Sequence, residues 1–251
     1  VPEDSMTPYL GKLGEDEPSF LPIATVEGYR EHPTPKAAFA GMISRMDDDV
    51  GKILAKLDTL GLTENTLVMF ASDNGPSSEG GAPIDFFDSN GIYRGGKRDF
   101  YEGGIRMPFI ARWPAQIVPG TTSDHISGFV DLLPTVSDLL EAPIGQLDGI
   151  SFLPTLLGQQ PQAQHAYLYW EIESKFPLNA EKQAIRQGNW KLLRLSPWYF
   201  WSSYELYKLD NDPSELHDLS AAHPEIVEQL AELMDSHHKK DINYPLRYYG
   251  E

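Results

Sequence analysis

The chain has 251 residues, 41% hydrophobic and 23% charged, a globular composition with enough apolar material for one large domain or two ordinary ones. Its formal net charge of −17 at pH 7 opposes general nucleic-acid binding, which needs a basic surface to displace counterions. No apolar run approaches the roughly 20 residues that span a bilayer, and without cysteine these residues hold no disulfide, thiolate metal site or cysteine nucleophile.

Residues 1–35 are rich in Pro, Gly and acid with no sustained period and are expected to be irregular. The opening VPEDSMTPYL has no initiator Met and no basic-then-apolar leader, and reads as the interior of a longer chain. Phe39, Met42, Ile43, Met46, Val50, Ile53, Leu54, Leu57 and Leu60 then recur at helical spacing, with Thr34 as a cap, Pro35 in the first turn and Gly61 at the exit. The apolar run TLVMFAS (66–72) predicts a buried strand that stops on Asp73, Asn74 and Gly75. A helix feeding such a strand is the αβ unit of a helix-covered sheet, where ligands gather beyond the carboxyl ends of strands.

Residues 75–104 form a long glycine-rich stretch of the kind that is usually functional or disordered. MPFIARWP (107–114) predicts a second buried strand, and DHISGFVDLLPTVSDLLEA (124–142) a helix containing or beginning around Pro134. From about residue 163, HAYLYWEI, KQAIRQGNWKLLRL and YELYKLD predict a small antiparallel sheet with a hairpin at Gly188 and Asn189. Ile226, Leu230 and Leu233 predict a C-terminal amphipathic helix. A boundary in GQQPQAQ divides the chain into a domain over 1–160 and a subdomain over 161–251.

Asp73 and Asn74 supply hard oxygens suited to Ca²⁺ or Mg²⁺, although Asp-Asn-Gly is equally a good turn. In YRGGKRDFYEGGIR, Arg94, Lys97, Arg98 and Arg106 concentrate positive charge among glycines that let backbone approach a ligand. The Lys97 ammonium suits a tetrahedral anion; alternatively these cations pair with Asp99 and Glu102 on a solvated loop. His125, behind a capping Ser/Asp, is a weaker site candidate. Asp47, Asp48 and Asp49 diverge around a helix and read as a solvated face, while His237 and His238 read as a cationic helix terminus.

The order DDDVGKILAKLDTLGLTENTLVMFASDNGP, YRGGKRDFYEGGIRMPFIARWPAQIVPG, DHISGFVDLLPTVSDLL with DGISFLP, then LYKLDNDPSELHDL resembles the C-terminal half of a type I, arylsulfatase-like sulfatase of the alkaline phosphatase superfamily. The resemblance implies an α/β, alkaline-phosphatase-like sandwich, incomplete in these residues, followed by a small antiparallel sheet and helix. It implies a sulfuric ester hydrolase acting on a sulfated small molecule or glycan. Asp73 and Asn74 would be ligands of Ca²⁺ or, alternatively, Mg²⁺, Lys97 would hold a sulfate oxygen, and Arg94 and His125 would be lesser substrate contacts. The family nucleophile, a formylglycine made in a C/S-x-P-x-R motif, and its paired N-terminal aspartates have no counterpart here. The expectation is therefore an inactive C-terminal fragment that associates with an N-terminal half, from a secreted, periplasmic or lysosomal protein. A phosphonate or phosphate ester hydrolase of the same superfamily and a non-catalytic sulfated-glycan-binding module are the alternatives.

Overall fold

The computed structural model describes residues 1–14, 32–79, 82–174, 180–198, 201–241 and 246. They form two compact units, Val1–Gly91 with Arg106–Pro119, and Ile92–Ile105 with Gly120–Glu251. The segment expected to be irregular contains a helical turn, α1 (Glu3–Met6), and its residues 15–31 lie outside the described ones.

In the first unit the helical period forms α2 (Pro35–Thr59). Thr34 occupies the N-cap position without a side-chain cap bond; the His32 Nδ1 accepts its backbone N–H at 3.1 Å instead. Gly61 exits at φ 68°, a left-handed conformation that glycine adopts without steric cost. Near the start of α2 a Cβ on Gly41 would stand 2.8 Å from the Ser5 carbonyl oxygen, so glycine is what lets α1 approach. Met42, Ile43, Met46 and Ile53 nevertheless remain exposed on α2.

β1 (Val68–Ala71) pairs antiparallel with β2 (Phe109–Arg112), in register from Val68 with Arg112 to Ala71 with Phe109. A further turn of helix, α3 (Ile84–Phe87), sets Phe87 against Phe39 at 5.0 Å between ring centroids. The expectation of a buried strand over 107–114 is corrected. Ile110 is 62% exposed and Phe109 is also exposed, because a sheet of two strands is too small to bury both faces.

The second unit contains α4 (Glu102–Ile105), α5 (Leu132–Leu139) and α6 (Leu153–Leu156). The helix expected to contain or begin around Pro134 is α5, which follows a 3-10 turn over Phe129–Asp131. Gly128 is extended, and its N–H donates to the Asp131 carboxylate at 2.7 Å, so that carboxylate caps the start. Pro134 then falls in the first turn of α5, where a missing N–H breaks no helical bond.

β3 (Leu168–Ser174), β4 (Ala180–Gln187), β5 (Trp190–Trp198) and β6 (Trp201–Lys208) form an antiparallel meander in chain order. Gln187 pairs with Trp190 across the two-residue turn Gly188-Asn189, and Gly188 supplies φ 59°. Strand alternation gives the sheet two covered faces. Ile185, Leu192 and Leu206 pack on Leu230 and Met234 of α7 (Pro224–His237). On the other face Ala184, Leu193 and Tyr207 pack with Phe100, beside Tyr101 and Ile105 from the glycine-rich loop. Neither His237 nor His238 is a bare cationic terminus. His237 stacks 4.3 Å from Tyr167, and His238 Nδ1 lies 2.8 Å from Glu171 Oε2. Among the described residues no helix is long and apolar enough to cross a membrane.

Candidate functional site

Asp73 and Asn74 follow β1 directly, in a turn that the chain's own polar groups close. The Ser72 hydroxyl donates to the Asn74 carbonyl, and Asn74 Nδ2 donates to the Gly75 carbonyl, each at 2.8 Å. The amide is thereby oriented through its nitrogen, which leaves Oδ1 for other partners, and the Asp73 carboxylate is exposed. These oxygens fit a hard cation in kind. They do not fit it in number: among the described residues no group of three or more His, Asp or Glu could hold a metal.

Lys97 lies in the second unit, in a tight turn. The Gly96 carbonyl accepts the Asp99 N–H at 2.9 Å, and Asp99 Oδ2 accepts the Gly96 N–H at 3.2 Å. Lys97 and Arg98 are the central residues, and Arg98 takes φ 74°, where such turns ordinarily place glycine. Lys182 of β4 holds this conformation, donating to the Arg98 carbonyl at 3.2 Å and to Asp99 Oδ1 at 2.9 Å.

The two glycines after Glu102 have a steric reason. A Cβ on Gly103 would stand 2.4 Å from the Arg94 carbonyl oxygen, and one on Gly104 2.2 Å from that of Asp99. The Gly103 N–H donates to the Arg94 carbonyl at 2.8 Å and closes the loop on itself.

Arg94 faces the sheet. Its Nη1 donates to the Tyr207 hydroxyl and to the Glu215 carbonyl, both at 3.1 Å, and its guanidinium lies 3.8 Å over the Tyr101 ring. Burial works against its charge, but Tyr101, Tyr207 and Glu205 outweigh it and raise its pKa. Burial, with hydrogen bonds donated to Glu205, in turn pushes both tyrosine hydroxyls well above their usual range.

Beneath the loop sits an ion cluster. Lys191 of β5 is fully buried, and its Nζ donates to Glu102 Oε1 at 2.9 Å. The same Nζ forms an ion pair with Glu215 Oε1 at 2.9 Å. Glu215 Oε2 accepts the Glu102 backbone N–H at 2.5 Å, and Arg186 of β4 stands 3.6 Å from Glu102 Oε2. Burial raises the Glu215 pKa, against the opposing pull of Lys191. Asp99 and Glu102 thus take partners from the sheet, Lys182 and Lys191. Sequence reasoning missed Lys191 and Glu215; the available signal was a lysine in KLLRL, a strand covered on both faces.

His125 is set by an extended turn in which its N–H donates to Ser123 Oγ at 3.1 Å, so the helix start expected there is absent. Its Nδ1 is buried without a hydrogen-bond partner among the described residues. Burial lowers its pKa; Asp131 and a Gln164 hydrogen bond oppose the shift, and His165 reinforces it. His165 Nε2 sits 2.8 and 3.0 Å from the two oxygens of the buried Asp131 carboxylate. That carboxylate also accepts the Ile150 N–H at 2.7 Å, which ties the start of α5 to the following loop.

The family model named Sulfatase matches residues 6–142, and that named N-sulphoglucosamine sulphohydrolase, C-terminal, matches residues 91–240. The chain is similar to an N-acetylgalactosamine-6-O-sulfatase of Bacteroides thetaiotaomicron, 32% identical over an alignment that covers 88% of this chain and 47% of the relative. It is similar to human arylsulfatase A, 32% identical over 79% of this chain and 43% of the relative. A solved structure, titled for the metabolism of multiple glycosaminoglycans by Bacteroides thetaiotaomicron, matches at 32% identity and a TM-score of 0.65, over 85% of this chain and 48% of the other. The shared fold is the alkaline-phosphatase-like α/β fold. The chain spans about half the length of the curated relatives it matches. A family model over more than half of its residues makes the conclusion plain: the chain belongs to the sulfatase family.

Proposed function

We propose that the intact protein carrying this chain hydrolyses a sulfate ester of a small molecule or glycan, with Lys97 holding a sulfate oxygen. The observation that carries the reading is the closed turn around Lys97, built by Gly96, Asp99 and Lys182 in a chain of the sulfatase family. Sulfate-ester cleavage moves negative charge onto the transferring group and the leaving oxygen, and donors set in place beforehand stabilise that charge without reorganising. A compact ammonium on a fixed turn meets this requirement even in a chain of net charge −17.

Asp73 and Asn74 are the residues that would hold Ca²⁺ or Mg²⁺, completed by ligands from outside these residues. The bound cation would supply positive charge against the sulfate group. The nucleophile, a formylglycine in the family's pattern, also comes from outside, so the isolated 251-residue chain is inactive and works with an N-terminal part. A secreted, periplasmic or lysosomal setting accompanies this reading.

Steady-state assay of the intact protein on matched aryl sulfate and aryl phosphate tests it. Sulfate is the preferred substrate, and Lys97→Ala lowers sulfate turnover by about 10²–10³-fold. Preference for phosphate or a phosphonate assigns the protein to the other hydrolases of the superfamily. Binding of a sulfated sugar without turnover by the intact protein makes it a binding module.

A further inference from the structure

We propose that Lys191 and Glu215, acting through Glu102, are positioning residues for Lys97, and that the C-terminal sheet is the mount on which the sulfate-contacting turn is aligned. The inference rests on the sulfatase reading of Lys97 and adds residues and a mechanism to it.

Register places the whole mount on one side of the sheet. Lys182 pairs with Leu195, Ala184 with Leu193 and Arg186 with Lys191, while Lys191 pairs with Tyr207 and Leu193 with Glu205. These residues share a face because side chains alternate along a strand, and that face receives Phe100, Tyr101 and Ile105. The loop is held at three points. Arg94 reaches Tyr207 and the Glu215 carbonyl, Lys182 takes Arg98 and Asp99, and the Lys191 cluster takes Glu102. The third hold is the most constraining, because residue 102 is bound through its backbone N–H to Glu215 and through its carboxylate to Lys191.

Stability alone is a poor reason for such a cluster. Taking three charges out of water costs more than well-packed apolar side chains of the same size would, whereas ion pairs specify direction. Direction is what the loop requires. Gly103 bonds Arg94, and Gly104 leaves no room between itself and Asp99, so a shift at Glu102 passes by rigid contact into the Gly96–Asp99 turn.

The test is a double-mutant cycle in the intact protein, on an aryl sulfate, comparing Lys191→Met, Lys97→Ala and the double variant. Lys191→Met lowers kcat/KM by about 10- to 100-fold, the effect of an ångström-scale misplacement. In the Lys97→Ala background the same change costs less than about threefold, because Lys191 acts through the side chain already removed. Equal losses in both backgrounds, or no loss in the wild-type background, overturn the proposal while the reading of Lys97 stands. If Lys97→Ala by itself leaves sulfate hydrolysis intact, that reading fails and takes the proposal with it. Should Lys191→Met not fold, Glu215→Gln, at the other proposed positioning residue, is carried through the same cycle. A loss that disappears in the Lys97→Ala background supports the proposal, and an additive loss or none refutes it.

Discussion

Gly104 and Asp99 are packed backbone to backbone, with no room for a methyl group: a Cβ would fall 2.2 Å from the Asp99 carbonyl oxygen. Gly104→Ala is therefore expected to destabilise the second unit by about 3 kcal/mol, the upper part of the usual range for overpacking. Gly51 is the control, since it is exposed in α2 and a methyl group there would meet nothing within 4 Å. Gly51→Ala should stabilise by about 0.5–1 kcal/mol through helix propensity. Equilibrium urea denaturation distinguishes the two, and similar small effects from both would refute the steric account.

Lys191 has no exposed surface and is ion-paired with two carboxylates. Lys191→Met leaves Glu102 and Glu215 facing each other without it and should cost about 3–5 kcal/mol. Adding Glu215→Gln to that variant should recover part of the loss, because one of the uncompensated charges is then gone. Denaturation midpoints across the three proteins read this directly.

Glu215 carries a pH signature. Its folded-state pKa is raised above the ordinary 4.5 by burial. Above pH 4.5 the folded protein thus binds more protons at this site than the unfolded chain does. The stabilising contribution is complete below the unfolded value and is lost as pH rises through the folded one. The stability difference between wild type and Glu215→Gln should therefore grow in favour of wild type as pH falls from about 7 toward 4.5. A flat or shrinking difference in urea unfolding at a series of pH values would show that the raised pKa is not realised.

The proposed cation ligands Asp73 and Asn74 give a calorimetric prediction. Two hard-oxygen residues are fewer than Ca²⁺ normally takes, and the described residues hold no cluster of three. Titration of the isolated chain with CaCl₂ should show nothing tighter than about 0.1 mM. Tight one-to-one binding that is abolished by Asp73→Ala would mean that this chain completes the cage unaided.

Elements governed by neighbours in the chain were legible in the sequence. The period from Phe39 to Leu60 yields α2, Gly188-Asn189 yields the hairpin, and the stretch after TLVMFAS falls at the end of β1. The helix expected to contain or begin around Pro134 is α5, but apolar spacing cannot register the extended Gly128, bonded to Asp131, that precedes it. Burial of Phe109 and Ile110 was overestimated because an apolar run reports what a strand can pack against, not what these residues provide. Lys97 stood out by its glycine context, but its supports did not. Lys191 is 89 residues from Glu102, Glu215 is 113, and nothing local marks such a pairing.

That separation also has a consequence in time. The loop of Ile92–Ile105 is made early, yet the groups that hold it are made late, with Glu215 following Glu102 by 113 residues. At about 5–20 residues per second of synthesis, roughly 6–23 s pass between the two. During that interval Lys182 and Lys191 are made first, and the contacts of Glu215 with Arg94 and Glu102 come last. A ribosome stalled before Glu215 would hold a chain in which the Ile92–Ile105 loop still lacks the carboxylate that takes the Glu102 N–H, so synthesis of Glu215 is the step that closes this hold.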